Sequence, residues 1–151
     1  MNTIADLAWA AGIIDGEGSI FIMKQRRLDR ERDTNYILRV TVESTDPYMA
    51  QELKKIFPYG ALFSSSRDKR SNNSDTLKWQ VNGKKALLVL KEIFLFLRVK
   101  HEQAQLAIQF QSSTKRHWKQ MTSIEYEQQE KYCFMLKEAK QNLKLGKHKE
   151  N

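Results

Sequence analysis

The chain has 151 residues, of which 40% are hydrophobic, and its mean hydropathy is −0.65. This length allows one domain with a substantial core, and no stretch approaches the roughly 20 apolar residues that a transmembrane helix needs. The formal net charge of +8 favours a polyanionic partner, with nucleic acid ahead of a membrane surface.

Cysteine, histidine and the first residues narrow the class of protein further. Cys133 is the only cysteine, which excludes an intramolecular disulfide and a paired-cysteine zinc site, and we expect it to be buried in a helix. The three histidines lack the spacing of metal ligands. The amino-terminal residues lack the pattern of a secretion or import signal, so we expect an intracellular protein whose compartment the sequence leaves open. The expected partners include no membrane and no small-molecule substrate.

The first half of the chain predicts a helix, two strands and a second helix. Thr3 and Asp6 form a capping-box pattern at the start of the first helix. Its core-facing residues are predicted to be Ile4, Leu7, Ala11 and Ile14. Strands are predicted at 19–27 and 36–43, where apolar and polar residues alternate. Asp46 and Pro47 predict the start of the second helix, because proline is favoured in a first turn.

The second half predicts strands at 61–67 and 76–82, then helices at 84–97, 100–111 and 121–145. The order α-β-β-α-β-β-α predicts an α+β fold, with an antiparallel sheet, helices on one face of it and additional C-terminal helices. We expect a single domain over 1–151. Its core would span about 3–112, followed by a C-terminal helical extension at about 113–145 and a frayed tail at 146–151.

Small residues and one acid mark the end of the first helix. Ala8 and Gly12 leave one helix face nearly free of side chains, so two backbones could approach closely there. Gly16 and Gly18 are expected to break the helix, with Glu17 between them. A carboxylate is disfavoured at a helix C-terminus, and such a local misfit indicates a functional position. The alternative is a polar residue in a glycine-rich turn.

The segment Ala10-Ala-Gly-Ile-Ile-Asp-Gly-Glu-Gly18 resembles the LAGLIDADG motif of homing endonucleases. The segment Leu97-Arg-Val-Lys-His-Glu-Gln-Ala104 also resembles that family, and the resemblance spans about residues 4–112. It implies an αββαββα domain with a saddle-shaped antiparallel sheet. With one motif per chain, it implies a homodimer that makes a metal-dependent double-strand break in a long pseudo-palindromic site of double-stranded DNA.

Two other classes of function stay open at this point. The first is a non-catalytic nucleic-acid binder, such as an RNA intron maturase or a transcription regulator, because some relatives have those functions. The second is a structural or ribosome-associated basic protein, which would require the acid motif to be accidental. Dimerisation and metal-dependent cleavage distinguish these classes.

The resemblance also implies a metal site at a dimer interface. Two first helices packed on their bare faces would place both Glu17 carboxylates near a two-fold axis, beside carbonyls such as that of Gly16. Such hard oxygen ligands suit Mg²⁺, and Mn²⁺ or Ca²⁺ could substitute in binding. Asp15 is expected to be structural. The predicted interface residues are Ala5, Ala8, Trp9, Ala11 and Gly12.

Two further residues are predicted to act with Glu17 in catalysis. Lys100 aligns with a lysine that the family uses near the scissile phosphate, and the alternative is a surface lysine at the start of a helix. Arg98 is a weaker substitute for it. Ser44 lies at the end of the second strand, where relatives often place a polar residue that orders solvent.

Strand alternation divides the sheet residues between two faces. The predicted core side comprises Ile20, Ile22, Leu38, Val40, Val42, Leu62, Leu77, Trp79 and Val81. The other face and its basic loops are predicted to contact bases and phosphates of DNA. These DNA-binding residues are Ser19, Phe21, Met23, Gln25, Arg27, Arg30, Arg32, Ile37, Arg39, Thr41, Phe63, Ser65, Arg67, Lys69, Arg70, Thr76, Lys78 and Gln80. The alternative is a solvated polar face.

The C-terminal segment from residue 112 onward carries nine lysines and arginines against five acidic residues. Two roles are open for it. It could pack against the domain, or it could contact the flanks of the DNA.

Overall fold

The computed structural model describes residues 1–26, 34–65, 75–114 and 121–146. The elements are α1 (Ile4–Glu17), β1 (Gly18–Arg26), β2 (Thr34–Ser44), α2 (Pro47–Ile56), β3 (Ala61–Ser65), β4 (Thr76–Asn82), α3 (Gly83–Ile93), a 3₁₀ turn (Phe94–Phe96), α4 (His101–Ser113) and α5 (Ser123–Lys144). The predicted order of helices and strands is therefore confirmed. In the described ranges, no helix combines the length and apolar character needed to cross a membrane.

Side-chain caps start α1 and α2 where the sequence predicted. The Asp6 amide donates to Thr3 Oγ1 at 3.1 Å, and the Thr3 amide donates to Asp6 Oδ2 at 2.9 Å. Asp46 Oδ1 accepts from the Tyr48 amide at 3.0 Å, next to Pro47 in the first turn of α2. These bonds satisfy amides that have no partner within the helix, and so they fix where each helix begins.

The four strands form one antiparallel sheet in the order β1-β2-β4-β3. Its inner face is covered by helices and carries the core. Residues at most 2% exposed on this face are Ile20, Leu38, Val40, Val42, Trp79 and Val81. Leu62 was predicted to join them but is 39% exposed, because β3 is an edge strand and its end of the sheet is poorly covered.

Two predictions about the helices are wrong in detail. Ile4 was predicted to face the core but is 74% exposed, whereas Ala10 is fully buried. The helix predicted to reach Leu97 ends at Ile93 and continues as a 3₁₀ turn, after which Leu97 is extended. The chain leaves the helix there because the side chain of Asp15 binds backbone amides just beyond Leu97.

The long helix α5 packs against α4 and the edge strand β1. Its buried side chains recur every three or four residues: Gln129, Cys133, Leu136 and Ala139. Burial raises the pKa of the Cys133 thiol to about 11. Glu130 pairs with Lys24 and accepts from the Tyr36 hydroxyl at 2.6 Å. The helix therefore covers an edge strand that would otherwise be open to pairing.

Candidate active site

Helix α1 passes directly into strand β1 at Gly18, with no intervening loop. The Gly18 amide donates to the Ile14 carbonyl. A Cβ on Gly18 would lie 2.7 Å from both the Cα and the carbonyl oxygen of Ile14, so only glycine fits. Gly16 has open space at the same position and no positive φ, so its predicted helix-breaking role is wrong. The single tight contact at Gly18 fixes Glu17 as the last residue of the helix.

The Glu17 side chain is exposed at this helix end. The last carbonyls of a helix have no partner within it, and together they carry partial negative charge. The carboxylate therefore lies in a region of negative potential that includes the Gly16 carbonyl. Oxygen ligands of this kind attract cations.

The side chain of Lys100 places a positively charged amine at this helix end. Its Nζ donates to the carbonyl oxygens of Ile14, at 2.9 Å, and Asp15, at 2.5 Å. Burial lowers the pKa of Lys100, and the negative charges of Asp15 and Glu17 oppose that shift. Lys100 is therefore half-buried and bound to α1, unlike a free surface lysine, and the fold brings it to the same corner as Glu17.

Asp15 holds this corner together through its side chain. Its Oδ2 accepts from the Arg98 amide at 2.7 Å and its Oδ1 accepts from the Lys100 amide at 2.8 Å. The expectation that Asp15 is structural agrees with these bonds. They join the end of α1 to the start of α4, and so they position the Lys100 side chain.

The structure places Ser44 away from the outer face of the sheet. Its Oγ accepts from the Asp46 amide at 3.0 Å, and its pairing with Leu77 puts it on the core side. Its neighbour Glu43 is exposed on the outer face. Gly18 pairs with Val42, so Glu43 comes just past the end of the ladder at which Glu17 lies. The solvent-ordering role of Ser44 therefore stays a prediction, while the polar side chain that strand alternation puts on the outer face at this strand end is Glu43, which accepts from Thr76 Oγ1 at 2.6 Å.

The outer face of the sheet collects most of the predicted DNA-binding residues. The pairing of the strands puts on it Ser19, Phe21, Met23, Gln25, Ile37, Arg39, Thr41, Phe63, Ser65, Thr76 and Lys78, all partly or fully exposed. Six predicted basic residues lie outside the described residues, namely Arg27, Arg30, Arg32, Arg67, Lys69 and Arg70.

Gln80 is an exception on this face, since it is only 8% exposed between Thr41 and Ala61. It lines a cavity of about 410 Å³ at the β3 side of the sheet. The cavity is also lined by Lys84 and Lys85, from the first turn of α3. These two lysines were predicted only as part of a helix, although their basic pair is visible in the sequence.

Two basic side chains on the outer face are held in place. Arg39 Nε donates to Asn82 Oδ1 at 2.9 Å, and Lys78 Nζ lies 5.6 Å from the centre of the Phe63 ring. Arginine has five N–H donors, so this single bond leaves most of them available. The face thus presents oriented donors beside exposed apolar side chains.

The predicted dimer residues divide between the two faces of α1. Ala5, Ala8, Trp9 and Gly12 are exposed, and a Cβ on Gly12 would meet nothing within 4 Å. Ala11 is fully buried within the chain's own core, so its side chain is not available to a second copy. The spacing of small residues did not distinguish the two faces.

Comparisons with known proteins agree with this geometry. A family model described as LAGLIDADG endonuclease matches residues 10–103, whereas no curated protein matches the chain. The fold resembles that of the homing endonuclease I-CvuI in complex with the I-CreI target, at 18% identity, 91% coverage of this chain, 85% of that chain and a TM-score of 0.74. It also resembles the DNA complex of the archaeal intron-encoded I-Vdi141I, at 13% identity, 89% and 84% coverage and a TM-score of 0.73.

A third similar structure is I-SmaMI bound to an uncleaved DNA target with calcium ions, at 18% identity and a TM-score of 0.68. That match covers 90% of this chain but 46% of the other. At these identities the structures establish the fold, while the family model spans the motif helix, the sheet and the Lys100 segment. The chain belongs to the LAGLIDADG endonuclease family.

Proposed function

We propose that this protein is a homodimeric, magnesium-dependent endonuclease that hydrolyses both strands of a long pseudo-palindromic DNA site. The observation that carries the proposal is the exposed Glu17 carboxylate, at the end of a helix whose outer face is apolar and nearly free of side chains. Lys100 lies at the same helix end. Within one chain this arrangement is half of a symmetric site.

The outer face of α1 supports dimerisation. A helix that is apolar on both faces is stable in water when both faces are covered, and among the residues that the structure describes only its inner face is covered. Ala8 and Gly12 would let a second α1 approach closely. The I-SmaMI chain is long enough to hold two such units, since the match covers less than half of it. A single-motif chain would obtain its second unit from a copy of itself.

The donor set at the end of α1 fits a hard divalent cation. Each chain offers the Glu17 carboxylate and the Gly16 carbonyl, and the space beside Gly16 is open. Among the described residues, no three acidic, histidine or cysteine side chains form a metal cluster within one chain. A second copy, water and a DNA phosphate would supply the remaining ligands of Mg²⁺. When bound, the ion lowers the pKa of a water and stabilises the leaving oxygen.

The chain's own residues would bind and orient the phosphodiester. Lys100 is anchored to the carbonyls of α1, so its positive charge stays beside Glu17 and would stabilise negative charge that develops at the phosphate. Asp15 positions Lys100 through the backbone. The outer face would lie in the major groove as a strand ribbon, with donors such as Arg39 directed at base edges.

Replacement of Glu17 tests this function. We expect Glu17→Gln to lose double-strand cleavage, by about a thousandfold or more, because an amide is a poor ligand for the cation. DNA binding should stay within about twofold, since the main binding surface is the outer face of the sheet. Glu127→Gln is a matched control, because Glu127 is exposed on α5.

Full cleavage by Glu17→Gln would contradict the proposal. Tight, metal-independent RNA binding by the unaltered protein, with no nicking of DNA, would favour an intron maturase or a regulator instead.

A further inference from the structure

We propose that Lys140, on the C-terminal helix α5, binds the DNA backbone beside the phosphate that is cleaved. This inference rests on the proposed DNA cleavage and gives a role to the basic C-terminal segment. It concerns a residue outside both segments that resemble the endonuclease family.

The position of Lys140 follows from how α5 packs. The buried face of this helix ends at Ala139, and the next residue reaches around the edge strand β1. Lys140 Nζ lies 3.4 Å from Ser19 Oγ and 5.4 Å from the centre of the Phe21 ring. Ser19 lies two residues after Glu17, which is about 7 Å along a strand. The amine therefore lies against the outer face, near the start of β1.

The surroundings of this amine lack negative charge. Lys140 is half-buried, and in the described part of the chain no carboxylate pairs with it. Burial lowers the pKa of Lys140, and the positive charges of Lys100 and Lys144 lower it further. An ammonium group has three donors, and here one weak bond to a hydroxyl uses one of them. A phosphate oxygen would supply both the missing acceptor and the missing charge.

A lysine on β1 that contacts the same helix shows a contrasting arrangement. Lys24, near the other end of β1, pairs with Glu130 of α5. Helix α5 thus provides the carboxylate of Glu130 to Lys24, at the end of β1 far from Glu17. At the other end of β1 the same helix provides Lys140, which has no carboxylate partner among the described residues. A cation that is left unpaired at half burial is costly unless a partner arrives. The difference along α5 indicates an external anion at the Lys140 end.

The test compares Lys140→Met with Lys137→Met, a control on the exposed side of the same helix. Methionine keeps the apolar stem of lysine and removes its charge. Binding to a short duplex of mixed sequence would be measured in EDTA between about 50 and 200 mM salt. Each phosphate contact contributes about 0.9 to the magnitude of the slope of log affinity against log salt. Lys140→Met removes one contact from each protomer of the proposed dimer, so it should lower that magnitude by about 1.8. Lys137→Met should leave it unchanged, and Lys140→Arg should restore it.

Single-turnover cleavage by saturating protein provides an independent readout. We expect Lys140→Met to slow it by about tenfold, which is less than the loss on removing a donor at the reacting atoms. If the salt slope and the cleavage rate of Lys140→Met both match those of Lys137→Met, the inference is wrong while the proposed function stands. If the unaltered protein binds no DNA, the proposed function itself is wrong.

Discussion

The two faces of α1 are built from the same kinds of residue, but one is buried and the other is exposed. The inner face contains Ala10, Ala11 and Ile14, all fully buried against the sheet and the other helices. The outer face carries Ala8 and Gly12, both exposed, together with other apolar side chains. The composition of α1 therefore does not predict which face is buried in the core. The packing of the other elements against the helix determines it.

This difference in burial means that the stability of one chain and the proposed dimerisation would depend on different residues of the same helix. The inner face stabilises one chain, because it removes apolar area from water within that chain. The exposed outer face carries the residues that would meet a second copy under the proposed function, and Glu17 lies at the end of the same helix. Substitutions on the two faces should consequently have separable effects.

The largest expected effect is at Gly12. Gly12→Arg should prevent dimerisation and abolish double-strand cleavage, because a long charged side chain would stand where two backbones meet. The folded chain should persist, since the position faces open space and arginine favours helices by about 1 kcal/mol relative to glycine. Sedimentation and cleavage assays measure these effects, with Gly12→Ala as the control. A dimeric and active Gly12→Arg protein would show that the outer face is not the interface.

A substitution on the inner face should destabilise the single chain. Ile14→Ala should lower the free energy of unfolding by about 2 to 5 kcal/mol, because it leaves a cavity in the core. Ile4→Ala makes the same chemical change on an exposed residue of the same helix and should cost no more than about 0.5 kcal/mol. Urea unfolding in a Gly12→Arg background separates these values from dimerisation. If Ile14→Ala and Ile4→Ala lowered the free energy of unfolding equally, the two faces of α1 would not differ in their contribution to stability.

The smallest expected effect is on α5, whose contact with β1 is partly exposed. Hydrogen bonds from Lys24 and then from Tyr36 lower the pKa of Glu130 in the folded protein. Glu130→Gln should lower the free energy of unfolding near neutral pH by about 0.5 to 1 kcal/mol, as for an exposed ion pair.

The contribution of Glu130 to the free energy of unfolding should depend on pH in a definite direction. A lowered pKa means that the stabilisation is present above the unfolded value, near 4.3, and is lost as the pH falls through the folded value. The free energies of unfolding of Glu130→Gln and the unaltered protein should therefore converge once the pH has fallen below the lowered pKa of Glu130 in the folded protein. Glu127→Gln should resemble the unaltered protein throughout. A difference that persists in acid would mean that the carboxylate charge is not the cause.

Local features of the fold could be predicted from the sequence because their causes are local. The Thr3 capping box, Pro47 at the start of α2 and the alternation of β2 each depend on neighbouring residues. The corner with Glu17 and Lys100 was predicted through the family resemblance, since the two residues are far apart in the chain.

Features set by tertiary packing could not be predicted in this way. Ile4 and Leu62 are exposed because no other part of the described ranges covers them, although their own patterns were apolar. The face on which Ser44 lies depends on the strand register, because a shift of one residue in a strand moves a side chain to the opposite face. Lys140 lies beside Ser19 because α5 packs against β1, and that contact left no local pattern in the sequence.

The central claim is that two copies of this chain form one symmetric cleavage site. The most direct test is to incubate the purified protein and Mg²⁺ with a randomised DNA library and to sequence the cut ends. We expect discrete double-strand breaks at one long sequence whose halves are related by two-fold symmetry. Absence of any cleavage, with binding to DNA or RNA retained, would contradict it and identify a nucleic-acid binder.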